Sequence, residues 1–186
     1  GTQNTASVYV NTKEATTDGG KSIAGDIQES SSADIGTVKI VLAGLDTTND
    51  QLLLDSAIAL SADVTGSNVT IGTITGIDYK YDSASQTLTL TKNGGGALDA
   101  TTIDDIVKAI KLSTTSTTQG DRTATISYVD LAGNEGPSAT STLTLDTAAP
   151  TAVDLAAATG TQAAASVYIN ASEVVGGKSI AGDIQE

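Results

Sequence analysis

The stretch Thr37-Val38-Lys39-Ile40-Val41-Leu42 places an apolar residue at every second position. Successive side chains of a β-strand point to opposite faces of a sheet, so Val38, Ile40 and Leu42 form one apolar face. We therefore predict a strand over residues 37–42 that buries this face. Similar β-branched segments bounded by turn residues recur at 7–11, 51–54, 57–60, 68–75, 77–81, 87–91, 122–129 and 139–145. Many short strands, two of them predicted to form a hairpin around Gly76, indicate an all-β antiparallel sandwich.

One segment, residues 102–111, departs from the strand pattern. Its apolar residues recur at spacings of three and four, which is one face of a helix. These residues are Ile103, Ile106, Val107 and Ile110. Thr102, followed three positions later by Asp105, is expected to cap the first turn. We predict one short helix that packs across an edge of the sandwich and has a structural role.

The composition excludes several classes of function. The chain has 186 residues, 22 acidic against 9 basic side chains, a net charge of −13, and no histidine or cysteine. A Ser-His-Asp triad, a cysteine nucleophile and a thiolate metal site are therefore impossible, and we predict that the protein is not an enzyme. The negative charge predicts repulsion from nucleic acid and from anionic lipid, so neither a nucleic acid nor a membrane surface is an expected partner. No apolar run reaches the length of a membrane span.

The beginning of the sequence returns near its end. Residues 1–29 and 160–186 match at 20 of 27 aligned positions when two residues, Thr17 and Asp18, are left unpaired. The block Gly-Gly-Lys-Ser-Ile-Ala-Gly-Asp-Ile-Gln-Glu is identical at 19–29 and 176–186. Such a recurrence after about 157 residues indicates a tandem array of whole domains.

The array predicts where one domain ends. Pro150 cannot donate to a β-ladder, and it follows the last predicted strand, so it suits a stiff connector between domains. We expect residues 1–147 to form one repeat, and residues 148–186 to form the linker with the first strand and loop of the next repeat. The expected partners are adjacent repeats of the same chain, or neighbouring molecules that exchange strands with it.

Following the strand directions predicts two acidic groups at opposite poles of the sandwich. If the near pole is the end where the strand from Ser7 begins, consecutive antiparallel strands place the loop 12–34 at the far pole and the loop 43–50 at the near pole. The far-pole group is Glu14, Asp121 and Asp146, with Asp18, Asp26, Glu29 and Asp34 nearby. The near-pole group is Asp46, Asn49, Asp50, Asp130, Asn134 and Glu135. Ca2+ takes six to eight oxygen ligands from such loops, so Ca2+ is the expected cofactor. The predicted metal ligands are Glu14, Asp46, Asp50, Asp121, Asp130, Asn134 and Asp146.

Three segments resemble the Ig-like and cadherin-like repeats of giant RTX-type biofilm adhesins of Gram-negative bacteria. They are Asp121-Arg122-Thr123-Ala124-Thr125-Ile126, Asp130-Leu131-Ala132-Gly133-Asn134 and Leu145-Asp146-Thr147-Ala148-Ala149-Pro150. Asn11-Thr12-Lys13-Glu14 and Asn170-Ala171-Ser172-Glu173 are similar to the Asn-Ala-x-Glu that opens many such repeats. The resemblance implies an Ig-like or cadherin-like sandwich at the bacterial cell surface, outside the cell. It also implies that Asp121 and Asp146 lie at the outgoing junction, and that Asp130 and Asn134 face the incoming one.

Two functions follow as hypotheses. The first is a structural extender, in which Ca2+ bound at the domain poles stiffens the array of repeats. The second is a ligand-binding module of an adhesin, for a glycan or another surface. The lack of Phe and Trp leaves little aromatic surface on which a sugar could stack, and a repeated unit suits a spacer better than a unique tip.

Overall fold

The computed structural model describes residues 19–24, 34–54 and 56–147, and the backbone of residues 5–11, 154–156 and 183–185. The chain divides into two compact units, Gly1–Thr147 and Ala148–Glu186. In the second unit, β12 (Asp154–Ala156) pairs with β13 (Asp183–Gln185) in antiparallel orientation. Glu14, Asp18, Asp26 and Glu29 lie outside the described residues, so their predicted roles at the far pole remain predictions.

The first unit contains a seven-stranded sheet with the order β1-β11-β10-β3-β8-β7-β6. Its strands are β1 (Thr5–Asn11), β3 (Ile35–Ala43), β6 (Val64–Ile71), β7 (Ile74–Asp82), β8 (Thr87–Lys92), β10 (Gly120–Asp130) and β11 (Ala139–Asp146). All neighbours are antiparallel except β1 and β11, which run in the same direction.

The second sheet has four short strands in the order β2-β9-β4-β5, all antiparallel. They are β2 (Lys21–Ser22), β4 (Asp50–Leu53), β5 (Ala57–Ala59) and β9 (Lys111–Thr114). One helix, α1 (Ala100–Ala109), precedes β9. The described residues therefore form an all-β sandwich with one short helix, as the sequence predicts.

The core lies between the two sheets and the helix. Val38, Ile40 and Leu42 are buried, as predicted for the inner face of β3. The inner faces of the neighbouring strands are also buried, at Leu88, Leu90, Ala124, Ile126, Leu143 and Leu145. The second sheet and the helix contribute Leu52, Ile58, Leu112, Ile103, Ile106 and Val107. Aliphatic side chains thus supply nearly all of this core, and Tyr81 is its one fully buried aromatic ring among the described residues.

Two local predictions are wrong. The hairpin turns at Gly72, which has a φ of +62°, whereas Gly76 lies inside β7 with a φ of +77° at an irregularity in the β6–β7 register. A glycine in a strand marks a bulge as readily as a turn, so composition alone does not separate the two. The helix begins earlier than predicted, because Asp99 and not Thr102 is its N-cap: Asp99 Oδ1 accepts a hydrogen bond of 2.8 Å from the Thr102 backbone N–H. Lys111 belongs to β9 and not to the helix.

The predicted direction of β3 is also wrong, and this moves one acidic loop to the opposite pole. Between β1 and β3 the chain contributes β2 to the second sheet, so β1 and β3 are not consecutive antiparallel strands. Since β3 and β11 both run antiparallel to β10, β3 points the same way as β11. The loop 43–50 therefore lies at the far pole beside the start of β10, and Asp34, which precedes β3, lies at the near pole.

Candidate functional site

The far pole brings together four of the predicted ligands, which are Asp46, Asp50, Asp121 and Asp146. The end of β3 meets the beginning of β10 there, with Ala43 opposite Thr123. Gly44, at a φ of +73°, lets the chain turn so closely that a Cβ atom on it would clash with the Asp121 carbonyl oxygen. The loop that carries Asp46 is thereby held against β10.

Asp50 lies in the core and not at the surface of the pole. Its Oδ2 is 3.3 Å from Arg122 Nε, and the two side chains are 0% and 5% exposed. Arg122 also donates through Nη1 to the carbonyl oxygens of Thr118 and Gly120, at 3.1 and 3.0 Å. A buried charge must be paired, and the guanidinium supplies the opposite charge at Asp50 Oδ2. Asp50 Oδ1 is buried and has no hydrogen-bond partner among the described residues. The pair joins the start of β4 to the start of β10, which gives Asp50 a structural role.

Asp46 organises the turn before β4. Its Oδ2 accepts hydrogen bonds from Asn49 Nδ2 at 2.9 Å and from Ser116 Oγ at 2.8 Å. The Asp46 backbone N–H in turn donates to Asp50 Oδ2 at 2.7 Å. Because donors favour the ionised carboxylate, the Asn49 and Ser116 hydrogen bonds hold the pKa of Asp46 below its ordinary value of 3.8. Asp46 is ionised at neutral pH, but its carboxylate is already engaged by protein donors.

Asp121 and Asp146 lie on the outer face of the sheet at the far pole. Asp121 pairs with Thr144 across the β10–β11 ladder, and its Oδ1 accepts a hydrogen bond of 2.6 Å from Thr144 Oγ1. Asp146 follows Thr144 by two positions, so it shares the same outer face. Such diagonal neighbours have Cα atoms about 7–8 Å apart. Both carboxylates are exposed, and Asp146 is the last residue of β11 before the first unit ends at Thr147.

Asp130 and Asn134 lie at the near pole, where β10 ends, and they bind each other. Asp130 Oδ1 accepts from the Asn134 backbone N–H, and Oδ2 accepts from Asn134 Nδ2, both at 2.8 Å. These bonds hold the pKa of Asp130 below its ordinary value of 3.8. They close the loop over Gly133, which has a φ of +91°. Asp130 and Asn134 lie close together, as predicted, and in the described structure their polar groups stabilise a turn.

Glu135, in the same loop, is fixed from two sides. Ser127 Oγ donates to its Oε1 at 2.6 Å, and Lys39 Nζ lies 3.1 Å from the same oxygen. The Ser127 hydrogen bond, followed by the Lys39 contact, lowers the pKa of Glu135. The loop after β10 is therefore anchored to the middle of the sheet by an exposed ion pair.

These positions do not assemble a complete metal site within the part of the chain that the structure describes. No group of three or more Asp, Glu, His or Cys side chains there is arranged to hold a metal ion. Asp46 Oδ2, Asp50 Oδ2 and Asp121 Oδ1 each accept a hydrogen bond from a protein donor. Asp121 and Asp146 are the exposed members of this group and lie on one face of the sheet.

The buried ion pair of Arg122 is not among the sequence predictions. Arg122 lies in a predicted strand and in one of the segments that resemble adhesin repeats, and it stands in phase with Ala124 and Ile126, which point into the core. A charged residue in the inward phase of a strand requires a buried partner of opposite charge, and this signal was available in the sequence. The identity of that partner, Asp50, was not.

One cavity at the near pole lacks the aromatic side chains on which a sugar could stack. A shallow cavity of about 340 Å³ lies at the near pole, lined by Gly36, Thr37, Asp78, Thr91, Lys92, Gly95, Gly96, Asp130 and Leu131. None of these is an aromatic residue on which a sugar ring could stack, and Asp78 is occupied by hydrogen bonds from Ser67, Asn68 and Asn93. Ligand binding thus gains no specific support from this cavity.

Comparison of the chain with protein-family models, curated proteins and solved structures gives no match. None of the described helices is both long and apolar enough to cross a membrane.

Proposed function

We propose that the chain is part of a tandem array of structural spacer domains in a bacterial surface adhesin. The observation that carries the proposal is the parallel register of β1 and β11, in which Thr5 lies opposite Thr140 and Asn11 lies opposite Asp146. The first strand therefore begins at one pole of the unit, and the last strand ends at the other. A domain that the chain enters and leaves at opposite poles adds its full length to an array.

That length can be estimated from the strands. At about 3.3 Å per residue, the 11 residues of β10 span about 36 Å. The recurrence of the sequence after about 157 residues means that each further repeat adds a comparable length. A catalytic domain does not need this arrangement, whereas a spacer that holds a binding tip away from the cell does.

Calcium at the outgoing junction is the second part of the proposal. Asp121 and Asp146 place two exposed carboxylates on one face beside the end of the first unit. Ca2+ takes six to eight oxygens, so the remaining ligands would come from Glu14, from backbone carbonyl groups and from water. An ion bound only to the ordered junction stabilises it by about 1.4 kcal/mol at ten times the dissociation constant. Extracellular modules commonly bind Ca2+ at 0.1–1 mM, so the junction would stiffen outside the cell.

The test compares the melting temperature of the chain in EDTA, in 5 mM Ca2+ and in 5 mM Mg2+. We expect Ca2+ to raise the melting temperature above that in EDTA, and Mg2+ to have a smaller effect. Asp121→Asn and Asp146→Asn should each reduce the Ca2+ response. Asp105→Asn is the matched control, since Asp105 is an exposed acid on the helix, and it should retain the full response. An identical melting curve in all three solutions would remove calcium from the proposal.

The spacer itself needs a separate measurement. Small-angle scattering of a protein with two consecutive repeats should give a maximum dimension close to twice that of the first unit alone. A maximum dimension that stays near that of one compact unit would contradict the spacer, whatever calcium does.

A further inference from the structure

The N-terminal segment closes one edge of each sheet. In the seven-stranded sheet, β1 is the outermost strand and pairs with β11 alone. In the four-stranded sheet, β2 is the outermost strand and pairs with β9 alone. The segment of residues 5–24 therefore contributes β1 and β2 to two sheet edges, both of which would expose unpaired backbone groups without these strands.

The second half of the segment also fills part of the core. Ile23 is 1% exposed, and its backbone N–H donates to the Ile110 carbonyl oxygen at 3.0 Å. Ser22 Oγ donates to the Lys108 carbonyl oxygen at 2.9 Å. Gly20 has a φ of +83° and lies so close to β9 that a Cβ atom on it would be 2.7 Å from the Leu112 carbonyl oxygen. These contacts favour glycine at position 20, a hydroxyl donor at position 22 and a buried apolar side chain at position 23.

The second copy of the sequence retains every one of these residues. Gly20, Ser22 and Ile23 correspond to Gly177, Ser179 and Ile180 in the identical block. Within the counterpart of β1, residues 164–170 differ from residues 5–11 only by alanine for Thr5 and isoleucine for Val10. Ile and Val suit a strand equally well. The second copy thus carries the residues that make this backbone pairing and these core contacts in the first copy.

We propose that the edges of β11 and β9 are a docking site for residues 160–186 of a second copy of this chain. The incoming segment adds a parallel strand to β11 and a short antiparallel strand to β9, which is strand addition at a sheet edge. This inference deepens the spacer proposal, because it names the partner through which two arrays are joined. It rests on the repeated segment and the two edges, and it does not depend on calcium.

The tether sets the conditions for exchange. Residues 5–24 are covalently linked to the unit whose sheets they extend. A short covalent link gives such a segment an effective concentration in the millimolar range at these sheet edges. A second copy at micromolar concentration therefore does not displace it. Exchange requires that the chain's own segment be pulled away, or that neighbouring arrays be packed on a surface at millimolar local concentration.

The experiment uses two components. The first is a synthetic fluorescent peptide of residues 160–186. The second is the full chain with proline substitutions in both β1 and the matching segment of its second sequence copy. The substitutions are Ser7→Pro, Val8→Pro, Ser166→Pro and Val167→Pro. In an edge strand, the backbone N–H groups of every second residue point towards the neighbouring strand. Proline has no N–H group, so one of two adjacent prolines always removes a hydrogen bond of the ladder. In EDTA, we expect saturable binding of the peptide to this variant at micromolar concentration, together with a rise in its melting temperature.

Two controls accompany this measurement. A peptide that carries Ser166→Pro and Val167→Pro should bind at least tenfold more weakly, and the normal peptide should bind the unsubstituted chain at least tenfold more weakly. Equal binding in either control, or no binding to the four-fold variant, would overturn the proposal. If the variant is unfolded on its own, the peptide is added during refolding. Recovery of the β circular dichroism signal then supports the docking site, and no recovery at 1 mM peptide refutes it.

Because these measurements are made in EDTA, their result is independent of calcium. Failure of the Ca2+ response would leave peptide binding intact, and failure of peptide binding would leave the spacer and its calcium response intact.

Discussion

Replacing Arg122 by methionine should destabilise the first unit more than any surface substitution. The change leaves the fully buried carboxylate of Asp50 without its guanidinium partner. It also removes both Nη1 hydrogen bonds to the carbonyl oxygens of Thr118 and Gly120. Removing one partner of a buried ion pair typically costs about 3–5 kcal/mol. With a urea dependence of about 2 kcal/mol per molar for a domain of this size, the unfolding midpoint should fall by about 2 M.

The assay is equilibrium unfolding in urea, followed by circular dichroism, with two further variants. Lys39→Met is the control, because Lys39 and Glu135 form an exposed pair that should contribute less than about 1 kcal/mol. Adding Asp50→Asn to Arg122→Met should recover part of the loss, since asparagine removes the uncompensated charge and still accepts the Asp46 backbone N–H. The reasoning is refuted if Arg122→Met costs no more than Lys39→Met, or if Asp50→Asn lowers the stability of the Arg122→Met protein further.

Two further predictions concern the poles. Gly44→Ala should lower the free energy of unfolding in urea by more than about 2 kcal/mol, because it adds a clash with the Asp121 carbonyl oxygen to the strain of a positive φ. Gly133→Ala introduces the same strain without a near neighbour, so it should lower the free energy of unfolding by about 1 kcal/mol. Equal losses in the two variants would contradict the clash. At the near pole, the hydrogen bonds of Asp130 lower its pKa in the folded state below the ordinary value of 3.8. These bonds therefore stabilise the fold at pH values above 3.8, and the stabilisation is lost as the pH falls through the folded-state pKa. The free energy of unfolding should therefore decrease from pH 5 towards pH 2, and Asp130→Asn should make this decrease smaller; an unchanged pH profile in the variant would count against the Asn134 contacts.

Local structure was largely predictable because it follows from spacing. Strand β3 buries Val38, Ile40 and Leu42 as the alternation in its sequence requires. The helix exists where Ile103, Ile106 and Val107 recur with a helical period. Its exact start was missed, since Asp99 and Thr102 are both acceptable caps and only the fold of the preceding chain selects one of them.

Which acidic loops lie at which pole could not be predicted from spacing in the same way. Assigning the loop 43–50 to a pole requires knowing how many times the chain crosses the molecule before β3. Strand β2 has only two residues, Lys21 and Ser22, which is too short a segment for periodicity to reveal. That single missed strand reverses β3 and transfers Asp46 and Asp50 from the predicted near pole to the far pole.

The sequence by itself determined the strand periods, the helical face and the tandem repeat, because each depends on residues that are close along the chain or on direct identity between two segments. Only the tertiary structure decided that β1 and β11 run in the same direction and that Asp50 pairs with Arg122, which lies 72 positions away. The physical reason is that strand pairing and buried-charge pairing are chosen by how well the whole core packs, and many pairings satisfy the same local pattern.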